Sequence, residues 1–315
     1  MNRGKVNRRL PNKEVSTRDA PESSAAGCVL SLYNRKRRDP LRRTFAMPIL
    51  WLRIALCCYA VGLLYALIAL TRRAPDVLSK VALHAAYLGM IFQIVSISEF
   101  AELSGQLTFA SIHNVESLLA LLIMAAFMIV YLAYRTTSLG IVAFPLVFML
   151  TFLAATGEQP FFVFSASSHR GWLFTHIALI LAGYAALVLS FGASLLYLVQ
   201  ERLLKSKSSS GILARLPALE VIDQIGLRSL LLGFPFMTLG LIVGTALAQE
   251  TFGTINFLDP KIFFSLLMWA VYMLLLYIRW SAGWRGRRAA YLASGAFAVA
   301  IVAWAANTIH QFGAS

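Results

Sequence analysis

The chain has 315 residues, of which 59% are hydrophobic and only 13% are charged. Soluble domains carry about a quarter of their residues as charged side chains, so this composition excludes an ordinary soluble protein and indicates an integral membrane protein. The formal net charge of +14 does not indicate nucleic-acid binding, because the basic residues fall between long apolar runs, where they determine membrane orientation.

Residues 1–46 form a polar tail that contains the basic run NRKRRDPLRR. We expect this tail to be disordered, and it does not resemble a cleavable signal peptide. It holds twelve Lys and Arg residues, which disfavours export, although an even number of spans would place it outside. Either the tail is not part of the working protein, which then begins at Met47, or the first apolar segment does not span.

Residues 47–315 contain eight apolar stretches that are long enough, or nearly so, to cross a bilayer as helices of about 20 residues. None alternates as a barrel strand would. The stretches are 48–70, 78–98, 117–134, 137–154, 172–198, 229–248, 262–278 and 289–309. The sequence therefore predicts an all-α polytopic membrane bundle of about eight transmembrane helices, with no separate soluble domain.

The connecting loops divide sharply by charge. One set holds thirteen Lys and Arg residues, and the opposite set holds only Arg170 and Lys261. Cytoplasmic loops collect basic residues, so the first set is predicted to be cytoplasmic and the C-terminus to lie outside. The thirteen are Arg72, Arg73, Lys80, Arg135, Arg202, Lys205, Lys207, Arg215, Arg228, Arg279, Arg285, Arg287 and Arg288.

The cytoplasmic segment 201–228 differs from the other loops because apolar residues recur in it at helical spacing. These residues are Leu213, Leu216, Leu219, Ile222 and Ile225. Two interpretations stay open: a short amphipathic helix on the inner membrane surface, or a linker that packs on the bundle.

Four of the five histidines fall at the outer ends of predicted helices: His113, His169, His176 and His310. His84 is the exception, near the cytoplasmic end of the second helix. Ionisable residues in membrane helices are rare and usually functional, although a single histidine at a helix end is often only an interfacial hydrogen-bonder. Imidazole is the usual axial ligand of haem iron, whereas no spacing typical of zinc or copper sites and no hydrolase motif occurs.

Several motifs resemble the cytochrome c assembly family, which includes CcsA, CcmC, CcmF and the shorter HemX/YpjD-like proteins. They are Asp259-Pro260-Lys261 with Trp269, Tyr272 and the Gly283–Arg288 turn, HNVESLLALL from His113, WLFTHIALILAGYAAL around His176, and NTIHQFG around His310. The resemblance covers about residues 47–315, in the family's order. Asp259 is also a suitable N-cap and Pro260 a suitable first residue for the seventh helix.

The resemblance implies that b-type haem is bound non-covalently at the outer face, with His176 and His310 as iron ligands. It further implies that Phe252 and Phe257 cover the porphyrin. Lys261 is a candidate to meet either a haem propionate or a lipid phosphate. At the loop positions where the family carries tryptophan, this chain has Phe252, Asn256 and Leu258. This difference fits the HemX/YpjD-like branch. His113 and Glu116 are further candidates at the same face. Larger members carry a histidine near the inner end of the following helix, where this chain has Tyr277. His84 lies at a similar membrane depth and is a candidate to replace that histidine.

We therefore expect a haem-handling protein of the bacterial inner membrane that assists cytochrome c assembly. Its partners would be membrane lipid, other assembly subunits and apocytochrome c, and it would be an accessory component, since thioether formation needs the thiols of the apocytochrome. Two alternatives remain. One is a HemX-like regulator or scaffold that does not bind haem, and the other is a small-solute transporter, although no inverted repeat is evident.

Overall fold

The computed structural model describes residues 46–71, 75–103, 112–157, 170–206, 217–253 and 260–313. These ranges contain eight helices and no strand, which confirms the all-α prediction. The helices are α1 (Ala46–Thr71), α2 (Pro75–Leu103), α3 (Ile112–Tyr134), α4 (Gly140–Thr156), α5 (Arg170–Lys205), α6 (Leu219–Phe252), α7 (Pro260–Ser281) and α8 (Arg287–Gly313). Residues 1–45 lie outside the description, so the boundary between tail and domain stays a prediction.

Six of the described helices, α1, α2, α3, α5, α6 and α7, are long and apolar enough to cross a membrane. Helix α4 is apolar but has only 17 residues, about 25 Å at 1.5 Å per residue, which is near the lower limit for a span. Helix α8 has 27 residues. Helix α7 begins at Pro260, as predicted. The polytopic bundle is therefore confirmed.

Helices that follow one another in the chain run in opposite directions. Ser96, near the end of α2, donates a hydrogen bond of 2.7 Å to the carbonyl of Pro48 at the start of α1. Three further contacts show the same alternation: Gln93 with Ser117, Asp223 with Arg279, and Gly286 with Tyr197. We call the end that holds the starts of α1, α3, α5 and α7 the histidine end, and the opposite end the basic end.

Helix α5 lies between two hydrophobic cores. The first is built from α1 to α5 and the start of α6, with Tyr59, Phe127 and Phe144 almost fully buried in it. The second joins α5 to α6, α7 and α8 and contains Met268 and Tyr272. Because α5 contributes buried side chains to both cores, its position is fixed from both sides.

Glycines bring α5 and α6 into close contact. A side chain at Gly240 would overlap Ile180 of α5, and one at Gly244 would overlap the ring of His176. Gly240 and Gly244 are four residues apart and so lie on one face of α6, the spacing that lets two membrane helices approach closely. This approach positions His176 against the α6 backbone.

The segment before residue 229 is not a separate surface helix. Residues 219–228 form the first turns of α6, and Ile222 and Ile225 are each only 1% exposed in the first core. The surface-helix interpretation is therefore wrong for these residues, and packing on the bundle is correct. Leu213 and Leu216 lie outside the described residues.

The predicted orientation counted Arg279 among the loop charges, but the structure does not place it in a loop. It lies within α7 with its side chain 2% exposed, and its Nη2 is 2.7 Å from Oδ1 of Asp223 in α6. The same oxygen accepts a 3.4 Å hydrogen bond from the backbone N–H of Gly286, ahead of α8. One carboxylate therefore joins α6 to α7 and to the α7–α8 turn at the basic end.

Replacing Asp223 with Asn is expected to destabilise the bundle strongly, because it leaves the buried guanidinium of Arg279 without a counter-charge. Removing one partner of a buried pair costs about 3–5 kcal/mol. The measurement is the apparent unfolding midpoint of the detergent-purified protein. Glu220→Gln, one turn earlier on an exposed position, is the matched control and should change stability by no more than about 0.5 kcal/mol. Equal midpoints for the two variants would contradict a structural role for the pair.

Candidate functional site

His176 lies in the second turn of α5, half-buried against α6. Its Nδ1 is 2.7 Å from the carbonyl oxygen of Gly240. A carbonyl can only accept a hydrogen bond, so Nδ1 carries the hydrogen and, in the neutral ring, Nε2 carries the lone pair. This is how proteins orient a histidine for metal ligation, with one nitrogen bonded to the protein and the other left to the metal.

Gly244 provides the space for this imidazole. A Cβ added there would overlap ring atoms of His176, so the ring lies directly on the backbone of α6. The histidine is thereby held by both its hydrogen bond and its packing. Sequence analysis singled out His176 but missed Gly240 and Gly244, for which the signal was the G-x-x-x-G spacing within an apolar helix.

The second polar pair of the histidine end lies at the start of α3. Nδ1 of His113 is 3.2 Å from Oε2 of Glu116, whose residue is only 8% exposed. The ring of His113 also packs against Gly157, at the C-terminus of α4. The contact with Gly157 ties α3 to α4, and the bond to Glu116 fixes the orientation of His113.

A buried hydrogen-bond network connects α3 to α1 and α2 next to the His113–Glu116 pair. The hydroxyl of Tyr59 donates to Oε1 of Gln93 at 2.7 Å, and Nε2 of Gln93 donates to the carbonyl of Ser117 at 2.9 Å. Both Tyr59 and Gln93 are fully buried. The network joins α1, α2 and α3 one residue from Glu116. Sequence analysis missed it, although a lone glutamine in an apolar helix is a recognisable signal.

His84 is placed differently from the other described histidines. It lies on an exposed face of α2, and its Nδ1 is 2.6 Å from the carbonyl of Lys80 in its own helix. It is also nearer to the basic end than His113 and His176 are. The structure therefore does not bring His84 together with the histidine end.

The remaining predicted site residues are only partly described. His310 lies in the last turn of α8, Lys261 is the second residue of α7 and Phe252 ends α6. These backbone positions all belong to the histidine end, and their side chains lie outside the description. Phe257 and His169 lie outside the described residues altogether.

The helices that carry His176 and His310 are direct neighbours. The rings of Phe191 in α5 and Phe297 in α8 stack with centroids 4.1 Å apart and planes inclined by 12°. Since α5 and α8 are antiparallel, counting back 15 residues to His176 and forward 13 residues to His310 leads to the same end. At 1.5 Å per residue these distances are about 22 Å and about 20 Å. The two backbone positions therefore lie at similar depth.

Trp269 and Tyr272, two residues of the family resemblance, pack α7 against α6. Nε1 of Trp269 donates to Oγ1 of Thr238 at 3.1 Å, and its ring stacks on Phe234 with a centroid distance of 6.0 Å. Tyr272 is buried against Gly233. Within the described ranges, no three His, Cys, Asp or Glu side chains come together as a metal site.

Comparison with known proteins identifies similarity over most of the chain. Residues 52–309 match the model of a family described as cytochrome C assembly protein. The cytochrome c biogenesis protein CcsA of Prochlorococcus marinus (strain MIT 9312) is 34% identical over 152 residues, covering 42% of this chain and 49% of the relative. CcsA of Heterosigma akashiwo (strain NIES-293 / 8280G21-1) is 27% identical over 226 residues, covering 60% and 70%. The chain thus spans about half the length of the first of these relatives.

Replacing Gly244 with Ala is expected to lower stability by about 1–3 kcal/mol, as overpacking usually does, because the new methyl group overlaps His176. Gly295→Ala is the matched control, since nothing lies within 4 Å of a Cβ there. Thermal unfolding in detergent measures both.

The cause can be isolated with a third variant. Combining Gly244→Ala with His176→Ala removes the overlapping ring, so the glycine substitution should cost less in that background. An unchanged cost would show that the α5–α6 packing does not depend on the histidine ring.

Proposed function

Because the chain belongs to the cytochrome c assembly protein family, we propose that it handles haem for cytochrome c biogenesis at the histidine end of the bundle. The observation that carries the proposal is the hydrogen bond from His176 Nδ1 to Gly240. It leaves Nε2 of the neutral ring as a donor atom for iron.

The iron ligands in this proposal are His176 and His310. The direct packing of α5 on α8 and the similar depth of the two backbone positions support this pairing. Imidazole nitrogen is a suitable axial donor for haem iron, and the carbonyl of Gly240 accepts the hydrogen bond that fixes the ring. Bound haem would supply iron that changes oxidation state. The chain's own part is to hold it non-covalently and orient it.

Three further residues are proposed to hold the porphyrin. Phe252 and Phe257 would cover its apolar faces, and Lys261, at the start of α7, would meet a propionate.

His113, anchored by Glu116 at 3.2 Å, would provide a second polar contact at the same end. The buried network through Gln93 keeps α3 in place beneath it. His84 has no part in this arrangement, because it lies on an exposed face of α2.

The proposed setting is the bacterial inner membrane, with the histidine end and the C-terminus outside. The excess of Lys and Arg at the basic end supports this orientation. Other assembly subunits and an apocytochrome c are the proposed partners. The chain would act as an accessory component that presents haem, rather than as a free-standing enzyme, because thioether bonds need thiols from the apocytochrome.

A second candidate function is a regulator or scaffold that does not bind haem. It is favoured by one observation: the loop positions where family members carry tryptophan are Phe252, Asn256 and Leu258. Asn256 and Leu258 have no aromatic surface, which weakens porphyrin stacking.

Absorbance of the detergent-purified protein tests the proposal. The wild type, after haem is added, should show a Soret band that His176→Ala and His310→Ala each weaken, because each removes an iron ligand. His84→Ala is the matched control and should leave the band unchanged. Imidazole added to the two ligand variants should restore part of the spectrum, which a merely misfolded protein would not allow.

Two outcomes would contradict the proposal. A wild-type protein that takes up no haem supports the regulator. A Soret band that persists unchanged in the double variant of His176 and His310 would refute these ligands while leaving haem binding intact.

A further inference from the structure

The seam between the end of α5 and the start of α8 concentrates positive charge at the basic end. Arg287 donates from Nη2 to the hydroxyl of Tyr291 at 3.5 Å, and the guanidinium of Arg202 in α5 is close enough to act on the same hydroxyl. Two guanidinium groups from different helices therefore lie near one tyrosine oxygen. Each guanidinium has five N–H donors, so this oxygen engages only a small part of their hydrogen-bonding capacity.

The neighbouring acidic groups do not neutralise this seam. Glu201 lies near Arg287 but is paired with Lys205 at 2.6 Å. Asp223 is engaged by Arg279 and by the N–H of Gly286. Two further basic side chains, Arg285 and Arg288, lie on either side of Arg287 in the chain. Within the described residues, the seam thus keeps an excess of positive charge.

The turn that carries these arginines is fixed in place. Gly286 has a left-handed φ of +67°, and a side chain there would overlap the hydroxyl of Tyr197 in α5. Its N–H donates to Asp223 in α6. The arginines are therefore presented from a turn that is held by both α5 and α6.

Aromatic side chains flank the same seam. The guanidinium of Arg288 lies 5.8 Å from the ring centroid of Trp284, and Arg287 lies 5.5 Å from that of Tyr291. Trp280 is 91% exposed. Tryptophan and tyrosine are enriched at the level of lipid headgroups, and basic pockets between helices at that level bind anionic headgroups.

The depth of the seam matches a headgroup layer. Arg202 follows His176 by 26 residues of one continuous helix, which is about 39 Å. A bilayer with its headgroups measures about 40–45 Å. With His176 at one surface, Arg202 therefore reaches the headgroups of the other.

We propose that Arg202 and Arg287 bind the phosphate of an anionic phospholipid in the seam between α5 and α8. Both guanidiniums lie near the Tyr291 hydroxyl, and each planar guanidinium can bind phosphate oxygens in a bidentate manner. Trp284 lies beside Arg288 in the same turn. The site takes a lipid rather than free phosphate, because Trp284 and Tyr291 are exposed next to it, as aromatic side chains at a membrane interface are.

Thermal unfolding of the full chain in detergent tests the proposal, titrated with dioleoylphosphatidylglycerol, dioleoylphosphatidylcholine or sodium phosphate. Phosphatidylglycerol alone should raise the midpoint in a saturable way. The double variant Arg202→Gln with Arg287→Gln should weaken its apparent affinity at least tenfold. Lys80→Gln with Arg135→Gln removes equal charge elsewhere at the basic end and should stay within threefold of wild type.

Four results would overturn the proposal: no saturable effect of phosphatidylglycerol, an equal effect of phosphatidylcholine, an equal effect of free phosphate, or an equal loss in the control pair. Should the glutamine pair fail to fold, Arg202→Lys with Arg287→Lys retains the charge but lacks the planar fork. It should bind at least threefold more weakly, and unchanged affinity would refute a guanidinium site.

Discussion

The close contact between α5 and α6 is the constraint on which the rest of the molecule depends. It exists because Gly240 and Gly244 present bare backbone to α5. The same absence of side chains exposes the carbonyl of Gly240 to His176. One pair of glycines therefore sets both the distance between two long helices and the tautomer of the imidazole between them. Packing and chemistry at this point are not separable.

Several polar groups inside the bundle reach a partner on another helix. Gln93 connects Tyr59 of α1 to Ser117 of α3, and Asp223 connects α6 to Arg279 of α7. In an apolar solvent such bonds add to the packing that holds helices together. They also fix register, because a helix that slips by one turn loses its partner. The polar residues of this bundle therefore specify arrangement more than they add stability.

Much of the fold was predictable because hydropathy is a local property. Eight apolar stretches became eight helices, and Pro260 begins α7 as its fixed φ suggested. The start of α6 was predicted about ten residues late, because Glu220 and Asp223 made those turns look like a loop. Arg279 was assigned to a loop for the same reason. A charged residue is expected to be exposed unless a buried partner, here Asp223 on α6, is known. Pairing between distant helices is what a single sequence does not display.

The candidate site divides along the same line. His176 was recognisable from its position near a helix end, whereas Gly244 acquires meaning only when α5 lies against it. His84 was proposed from its depth in the membrane alone, because one sequence does not reveal which face of α2 is covered. The structure places it on an exposed face of that helix. The sequence thus indicated the type and membrane depth of each candidate residue, but not the direction in which its side chain points.

The placement of α5 between two cores has a consequence for how the bundle comes apart. Helices α1–α4 belong to the first core and α7 and α8 to the second, while α6 contributes buried side chains to both. Removing either outer group would strip α5 of packing partners. A cut on either side of α5 is therefore expected to leave fragments that are stable only when they reassociate. The eight helices then form a single cooperative unit, assembled around its fifth member.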